Sequence, residues 1–268
     1  MNPSIVRAYP VLIVLAGLLG SGVSLSAHNH LGSVSEPLAP ITLKVPAWQK
    51  GAYWIQHDEE MLADFGDLRR FREADTELGP PAAGQNRVVF MGDSITEIWN
   101  LEQSFPGKPY INRGISGQTT PQMLVRFRQD VIDLHPKVVI ILAGTNDIAG
   151  NTGPMTLEET EGNLESMAQL ATASHIRVVL CSVLPTINYP WHPGQDPGPK
   201  VVAVNAWIKA FAAKDHYVYV DYYSAMKDAQ GGLPPTLSKD GVHPLPAGFA
   251  VMAPLAEAGI EKALKGKE

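Results

Sequence analysis

From residue 87 onward, short β-branched apolar runs alternate with stretches whose apolar positions recur at helical spacing. The runs fall at 88–91, 110–112, 138–142, 178–183 and 218–221. Alternation of this kind predicts an α/β fold in which a parallel sheet is covered by helices on both faces. Thr120-Pro121 opens one helix, with proline in its first turn and Met123, Leu124, Phe127 and Val131 as its buried stripe. Thr156 and Glu159 stand at capping-box spacing and open a second. A third covers 200–214 through Val201, Val204, Ile208 and Phe211. The last, from about 246 to 264, contains Pro254, where a kink or break is expected.

Upstream, the segment 57–78 carries Met61, Leu62, Phe65, Leu68 and Phe71 among many charges. That spacing predicts an amphipathic helix packed on the domain, with an interruption at Gly66. Residues 79–84, Gly-Pro-Pro-Ala-Ala-Gly, end it. Residues 28 to about 50, rich in Pro, Ser and Gly, read as an extended lead-in. At the start, Arg7 precedes an apolar run at 11–19 and then small residues to Ala27. This order predicts a secretory signal peptide over 1–27, cleaved near Ser26 or Ala27. The apolar part is shorter than the ~20 residues that span a bilayer, so no stable membrane anchor is expected after cleavage. The expected organisation is signal peptide 1–27, lead-in and packing helix 28–85 and main domain 86–268, in a secreted or periplasmic protein.

Composition narrows the function. With 268 residues, 45% hydrophobic and 18% charged, the chain suits one globular α/β domain with a substantial core. The net charge is −6 and no Lys/Arg cluster interrupts the mixing of charges, so no nucleic-acid partner is expected. A small or neutral substrate fits better. The one cysteine, Cys181, sits inside an apolar run and reads as a core residue, which leaves no disulfide framework.

Four short blocks carry the candidate chemistry. RVVFMGDSIT at 87–96 ends a strand in a glycine, an acid and Ser94, then turns toward a helix. Ile115-Ser-Gly117 follows the second strand, Gly144-Thr-Asn146-Asp147 the third, and Asp240-Gly-Val-His243 lies on a long loop after the last. Ligands of open parallel sheets bind beyond the carboxyl ends of the strands, where all four blocks fall. A serine nucleophile needs a base, a group that orients the base, and donors for the oxyanion that forms. Each block alone has a plainer reading: a helix cap at Ser94, a tight turn at Gly117, a loop cap at Asn146, an exposed turn at 240–243. No Gly-x-Ser-x-Gly elbow surrounds Ser94.

Taken together, over roughly 86–264, the blocks resemble the SGNH or GDSL family of serine ester hydrolases, closest in wording to the branch of platelet-activating-factor acetylhydrolase subunits and many exported bacterial esterases. The resemblance implies a three-layer α/β/α sandwich with a flavodoxin-like parallel sheet. It implies Ser94 as nucleophile, His243 as general base and then acid, and Asp240 as the group that orients His243. For the oxyanion hole it implies the backbone N–H groups of Ser94 and Gly117 and the side-chain amide of Asn146. Gly114 reads as a structural glycine. Asp93 and Asp147 look like a carboxylate pair, but their position beside catalytic residues suits loop bracing by hydrogen bonds. No His/Asp/Glu cluster has ligand spacing, so neither a metal nor another cofactor is expected.

The segment 184–199 follows a strand on the same edge and is expected to wall the pocket. Tyr189 and Trp191 within it, and Trp99, are candidates to stack on a sugar ring or line an acyl groove. The favoured substrate is a small-molecule or carbohydrate ester with a short acyl group, acetyl on a sugar among them. The alternatives are a lysophospholipase or thioesterase, which needs a longer apolar groove, and a non-catalytic carbohydrate-binding protein on this scaffold.

Overall fold

The computed structural model describes residue 59 and residues 61–266, so the expected signal peptide at 1–27 and the lead-in lie outside the described residues. Five strands, β1 (Val88–Gly92), β2 (Tyr110–Gly114), β3 (Val138–Leu142), β4 (Arg177–Cys181) and β5 (Val218–Val220), pair in parallel in the order β2-β1-β3-β4-β5. This is the flavodoxin-like order, in which the direction of winding reverses between β1 and β3. At such a reversal the loops after the two strands wind toward opposite faces of the sheet, the place where ligands of open parallel sheets bind. Both strands are buried along their whole length, which explains why they read as continuous apolar runs.

Side chains alternate between two cores. Val89, Met91, Val139, Ile141, Val178 and Leu180 face one core, shared with α4 (Thr120–Asp130), α6 (Leu157–Ala173) and α7 (Gly198–Lys214). Val88, Phe90, Val138, Ile140, Val179 and Cys181 face the other, shared with α9 (Pro246–Lys265) and the short helices α2 (Ser94–Glu97), α3 (Leu101–Ser104) and α8 (Tyr222–Met226). The period of two along each strand therefore builds a three-layer α/β/α sandwich. Met123 and Phe127 on α4 are fully buried, and burial of that kind contributes roughly 1.5–3 kcal/mol per side chain. Cys181 lies in the second core, where burial pushes its thiol up to about 12.

The expected caps form: Thr119 with Gln122 closes a capping box on α4, and Thr156 with Glu159 does so on α6. No break forms at Pro254: α9 runs continuously through it, its inner face held by Met252, Ala256 and Ile260 in the second core. The helix expected over 57–78 with an interruption at Gly66 is interrupted over a longer stretch: among the described residues, 59 and 61–63 are helical, 64–71 form turns, and α1 (Arg72–Leu78) follows. Leu62 is 89% exposed and Phe65 42% exposed, so neither anchors a buried stripe. Instead, three glutamine side chains take carbonyls of this segment: Gln122 donates to Phe65 O (2.9 Å), Gln118 to Gly66 O (3.0 Å) and Gln129 to Leu68 O (2.8 Å). A carbonyl engaged from outside favours the turn found at 65–71 over an intrahelical bond, and Asp67, with φ of 50°, completes that turn.

Candidate active site

Ser94 opens α2 directly after β1, at a helix start whose first N–H groups lack intrahelical acceptors. Asp93 is the cap: its Oδ1 accepts from Ile95 N–H at 2.9 Å. The Ser94 hydroxyl lies 2.9 Å from His243 Nε2, and His243 Nδ1 lies 2.7 Å from Asp240 Oδ2. The loop from Pro234 to Pro244 makes this possible by folding around Asp240. Oδ1 of Asp240 accepts from the Ser238 hydroxyl (3.0 Å), Val242 N–H (2.9 Å) and His243 N–H (2.8 Å). Burial on its own would raise the Asp240 pKa, but the hydrogen bonds from the His243 ring and backbone and from Val242 outweigh it and bring the carboxyl down to about 2. With an ionised acceptor at Nδ1, the neutral imidazole carries its proton there and presents a lone pair at Nε2 toward Ser94.

The loops after β2 and β3 meet over α2. Gly114 packs so closely on the backbone at Glu97 that a side chain there would overlap it, the structural role expected of it. Gly117 has φ of 78°, a left-handed turn that glycine adopts without strain. Glu97, on the same short helix as Ser94, accepts from both the backbone and the hydroxyl of Ser116 and so ties the Gly117 loop to α2. Asn146, on α5 (Thr145–Ala149), is 3% exposed and donates through Nδ2 to Gln118 O at 3.0 Å. The fully buried Arg126 joins the blocks from beneath: it donates to Gln118 Oε1 (2.6 Å), Asp130 Oδ2 (2.9 Å) and Gly92 O (3.0 Å). Nothing in the motif spacing marks Arg126, Glu97 or Ser238. Their signal is only a charged or polar residue facing inward from a buried stripe or a turn.

The two carboxyls beside the site brace loops, as expected. Asp147 accepts from the backbone and hydroxyl of Thr120 at the start of α4, and burial raises it to about 6 against those bonds. Burial raises Asp93 to about 7, with the Ile95 N–H and His243 opposing. An unfolded aspartate ionises near 3.8, so the fold favours neutral Asp93, and its contribution to stability is lost as pH rises from about 4 through 7. The Tm of the wild type is therefore expected to fall more steeply between pH 5 and 8 than that of Asp93→Asn. Equal slopes in thermal melts of the two proteins would show that Asp93 is ionised throughout.

Two expected substrate contacts are corrected. Trp99 is 3% exposed in the second core, stacked on Phe249 at 5.2 Å with its indole N–H on Ser104. Tyr189 has no exposed surface, and its hydroxyl pairs with Thr145 at 3.1 Å. Both rings are core, because each has an apolar partner for its faces and a local partner for its polar atom. Trp191 differs: it is half-buried, its ring centroid lies 6.0 Å from that of His243, and its Nε1 donates to Asn151 Oδ1 at 3.2 Å.

The sequence profile of the GDSL-like lipase/acylhydrolase family matches residues 90–251, which span every block of this site except its rim at 87–89. The chain is 29% identical to the esterase TesA of Pseudomonas aeruginosa over 182 residues, 62% of this chain and 83% of that one. It is 27% identical to an acetylxylan esterase of Geobacillus stearothermophilus over 211 residues, 65% of this chain and 94% of that one. Among solved structures, a GDSL-like lipase from Bacteroides thetaiotaomicron is 43% identical, with a TM-score of 0.72 over 75% of this chain and all of the other. On the strength of the fold, the matched blocks and these relatives, the chain belongs to the GDSL-like lipase/acylhydrolase family and is a carboxylic ester hydrolase.

Proposed function

We propose that this hydrolase is exported and removes short acyl groups, acetyl above all, from hydroxyl-rich alcohols such as carbohydrates, with Ser94, His243 and Asp240 as its catalytic triad. The observation that carries the reading is the unbroken chain from Ser94 Oγ through His243 to Asp240, at 2.9 and 2.7 Å. His243 Nε2 takes the hydroxyl proton as Ser94 Oγ attacks the ester carbonyl, and Asp240 stabilises the imidazolium formed. The tetrahedral oxyanion is held by the N–H groups of Ser94 and Gly117 and by the Asn146 amide, three neutral donors on one loop and the starts of two short helices. Collapse passes the proton from His243 to the departing alcohol, leaving an acyl-Ser94 that water, activated by the same histidine, then hydrolyses.

The substrate class rests on the walls. Trp191 closes one side beside His243, a flat apolar face of the kind that stacks on a sugar ring. Beside the Gly117 loop, lined by none of Ser94, Gly117, Asn146, Asp240 and His243, opens a cavity of about 630 Å³ whose lining includes Ser116, Gln118, Asp64, Asp67, Arg69 and Arg70. A leaving group that reaches past that loop would meet these charges, which suits a hydroxylated group better than a long acyl chain. The similarity to an acetylxylan esterase points the same way. Export rests on the charged, apolar and small-residue order of 1–27, and the domain assignment on residues 86–268 carrying every strand among the described residues. A series of nitrophenyl esters, with acetylated xylo-oligosaccharides alongside, tests the proposal: kcat/KM is expected to be highest for acetyl and to drop steeply beyond about four carbons. Preference for an acyl chain of eight carbons or more would overturn the substrate class while leaving the triad standing.

A further inference from the structure

We infer that Asn151 is a positioning residue that sets the geometry of two of the oxyanion donors, an inference that rests on the reading of Gly117 and Asn146 as those donors. Asn151 lies just beyond α5 and is 3% exposed. Its single NH2 group donates to Gly117 O at 3.1 Å and to Asn146 Oδ1 at 3.0 Å, and its Oδ1 accepts from Trp191 Nε1 at 3.2 Å. One amide thus joins the loops that follow β2, β3 and β4.

The consequence follows from the near symmetry of a carboxamide. The two ends of an Asn side chain have the same shape, so only its hydrogen-bond partners decide which end points where. For Asn146, the donor from Asn151 fixes Oδ1 on the inner side and turns Nδ2 outward, where one hydrogen goes to Gln118 O and the second is left for an oxyanion. Among the described hydrogen bonds, no other side chain donates to Asn146 Oδ1. The orientation of Asn151 is in turn fixed by the indole N–H of Trp191, which accepts nothing and so selects the oxygen end. The bond to Gly117 O holds the left-handed turn at a set distance from α5, so that the two donors arrive as a pair. A donor that acts in the transition state must be aimed before the charge develops, and misaiming it costs turnover more than binding.

Asn151→Asp is the most direct test, because it keeps the shape and the acceptor for Trp191 but replaces the NH2 donor with oxygen. The carboxylate repels Asn146 Oδ1 and Gly117 O and attracts Asn146 Nδ2, turning that amide over. The expected result is a fall in kcat on nitrophenyl acetate of about 10- to 100-fold, smaller than the loss from Asn146→Ala, with KM changed by less than about threefold. Affinity for an alkyl boronic acid, which binds as a tetrahedral adduct, falls in step with kcat. In the Asn146→Ala background, Asn151→Asp is expected to cost less than it does in wild type, because the part that acts through Asn146 is already gone while the part that acts through Gly117 remains. Trp191→Phe, which keeps the ring and removes the N–H, should give a smaller fall with the same non-additivity, and Asn151→Ala replaces the carboxylate variant if that fails to fold. A kcat within about threefold of wild type for Asn151→Asp, or costs that add fully in the double variant, overturns the inference. Unimpaired turnover in Asn146→Ala overturns the oxyanion assignment itself, and this inference with it; the two failures are told apart by that one variant.

Discussion

Ser94→Ala is expected to lower kcat by a factor on the order of 10⁵ to 10⁶, the size of loss seen when a hydrolase nucleophile is removed and only binding and oxyanion stabilisation remain. The same variant should fold normally. Ser94 is only partly buried, its hydroxyl contacts His243 alone among the described hydrogen bonds, and losing one such bond costs about 1 kcal/mol. The backbone N–H of residue 94 is unaffected, so the proposed oxyanion site survives and acetylated oligosaccharide should still bind. Three measurements on one preparation check this: kcat by ester hydrolysis, Tm by thermal melt, and covalent labelling by a fluorophosphonate. A wild type that labels at Ser94 and a variant that neither labels nor turns over is the expected pattern. It also separates this enzyme from a carbohydrate-binding protein on the same scaffold, which has no reason to label. Turnover near wild type in the variant would remove Ser94 from the mechanism.

Much of this arrangement was legible in the sequence, for a physical reason. The strands of a parallel sheet buried on both faces must be apolar throughout, so 88–91, 138–142 and 178–183 announce themselves without any partner being known. The capping box at Thr156 and the proline-opened helix at Thr120 are local chemistry, decided within four residues. In the segment 57–78 the helical spacing of apolar residues and Gly66 mark helix on both sides of an interruption, but not its length, because Gln118, Gln122 and Gln129, which engage the carbonyls of 65–68, lie more than fifty residues away. Tertiary hydrogen bonds overrode a local pattern, as they do wherever carbonyls are offered side-chain donors.

The site divides along the same line. Ser94, Gly117, Asn146 and His243 each sit at a strand end or in a short block with its own spacing, so their approach could be inferred from topology alone. Trp99 and Tyr189 were mistaken for surface aromatics because nothing in a loop sequence says which ring turns inward. Tyr189 and Trp191 are two residues apart, yet the first is fully buried against Thr145 and the second half-buried beside His243. Arg126 and Asn151 carry no local signal for the opposite reason. Beside their short-range bonds to Asp130 and Asn146, each also joins separate blocks: Arg126 holds Gly92, before the nucleophile, to Gln118, after the oxyanion glycine, and no single block contains both ends of such a link.

Asp240→Asn is expected to reduce kcat by about 10⁴, while leaving the loop around it in place. The asparagine oxygen can still accept from Val242 N–H, His243 N–H and the Ser238 hydroxyl, the three bonds that fold the 238–243 turn. Its NH2 group, however, then faces His243 Nδ1 and needs an acceptor there. The ring meets that need by carrying its proton on Nε2 instead, and a protonated Nε2 can no longer accept from the Ser94 hydroxyl 2.9 Å away. The imidazolium formed during attack also loses its counter-charge. Only the neutral ring of His243 can act as the base. Asp240 adds no break of its own above about pH 4: its carboxyl, held near 2, stays ionised, and the stability it confers is lost only as pH falls from about 4 through 2. Profiles of kcat/KM from pH 4 to 9 for wild type, Asp240→Asn and His243→Ala decide the matter. If Asp240→Asn hydrolyses nitrophenyl acetate within tenfold of wild type while His243→Ala is inactive, the ring is oriented by something other than this carboxylate, and the site works as a Ser94–His243 dyad.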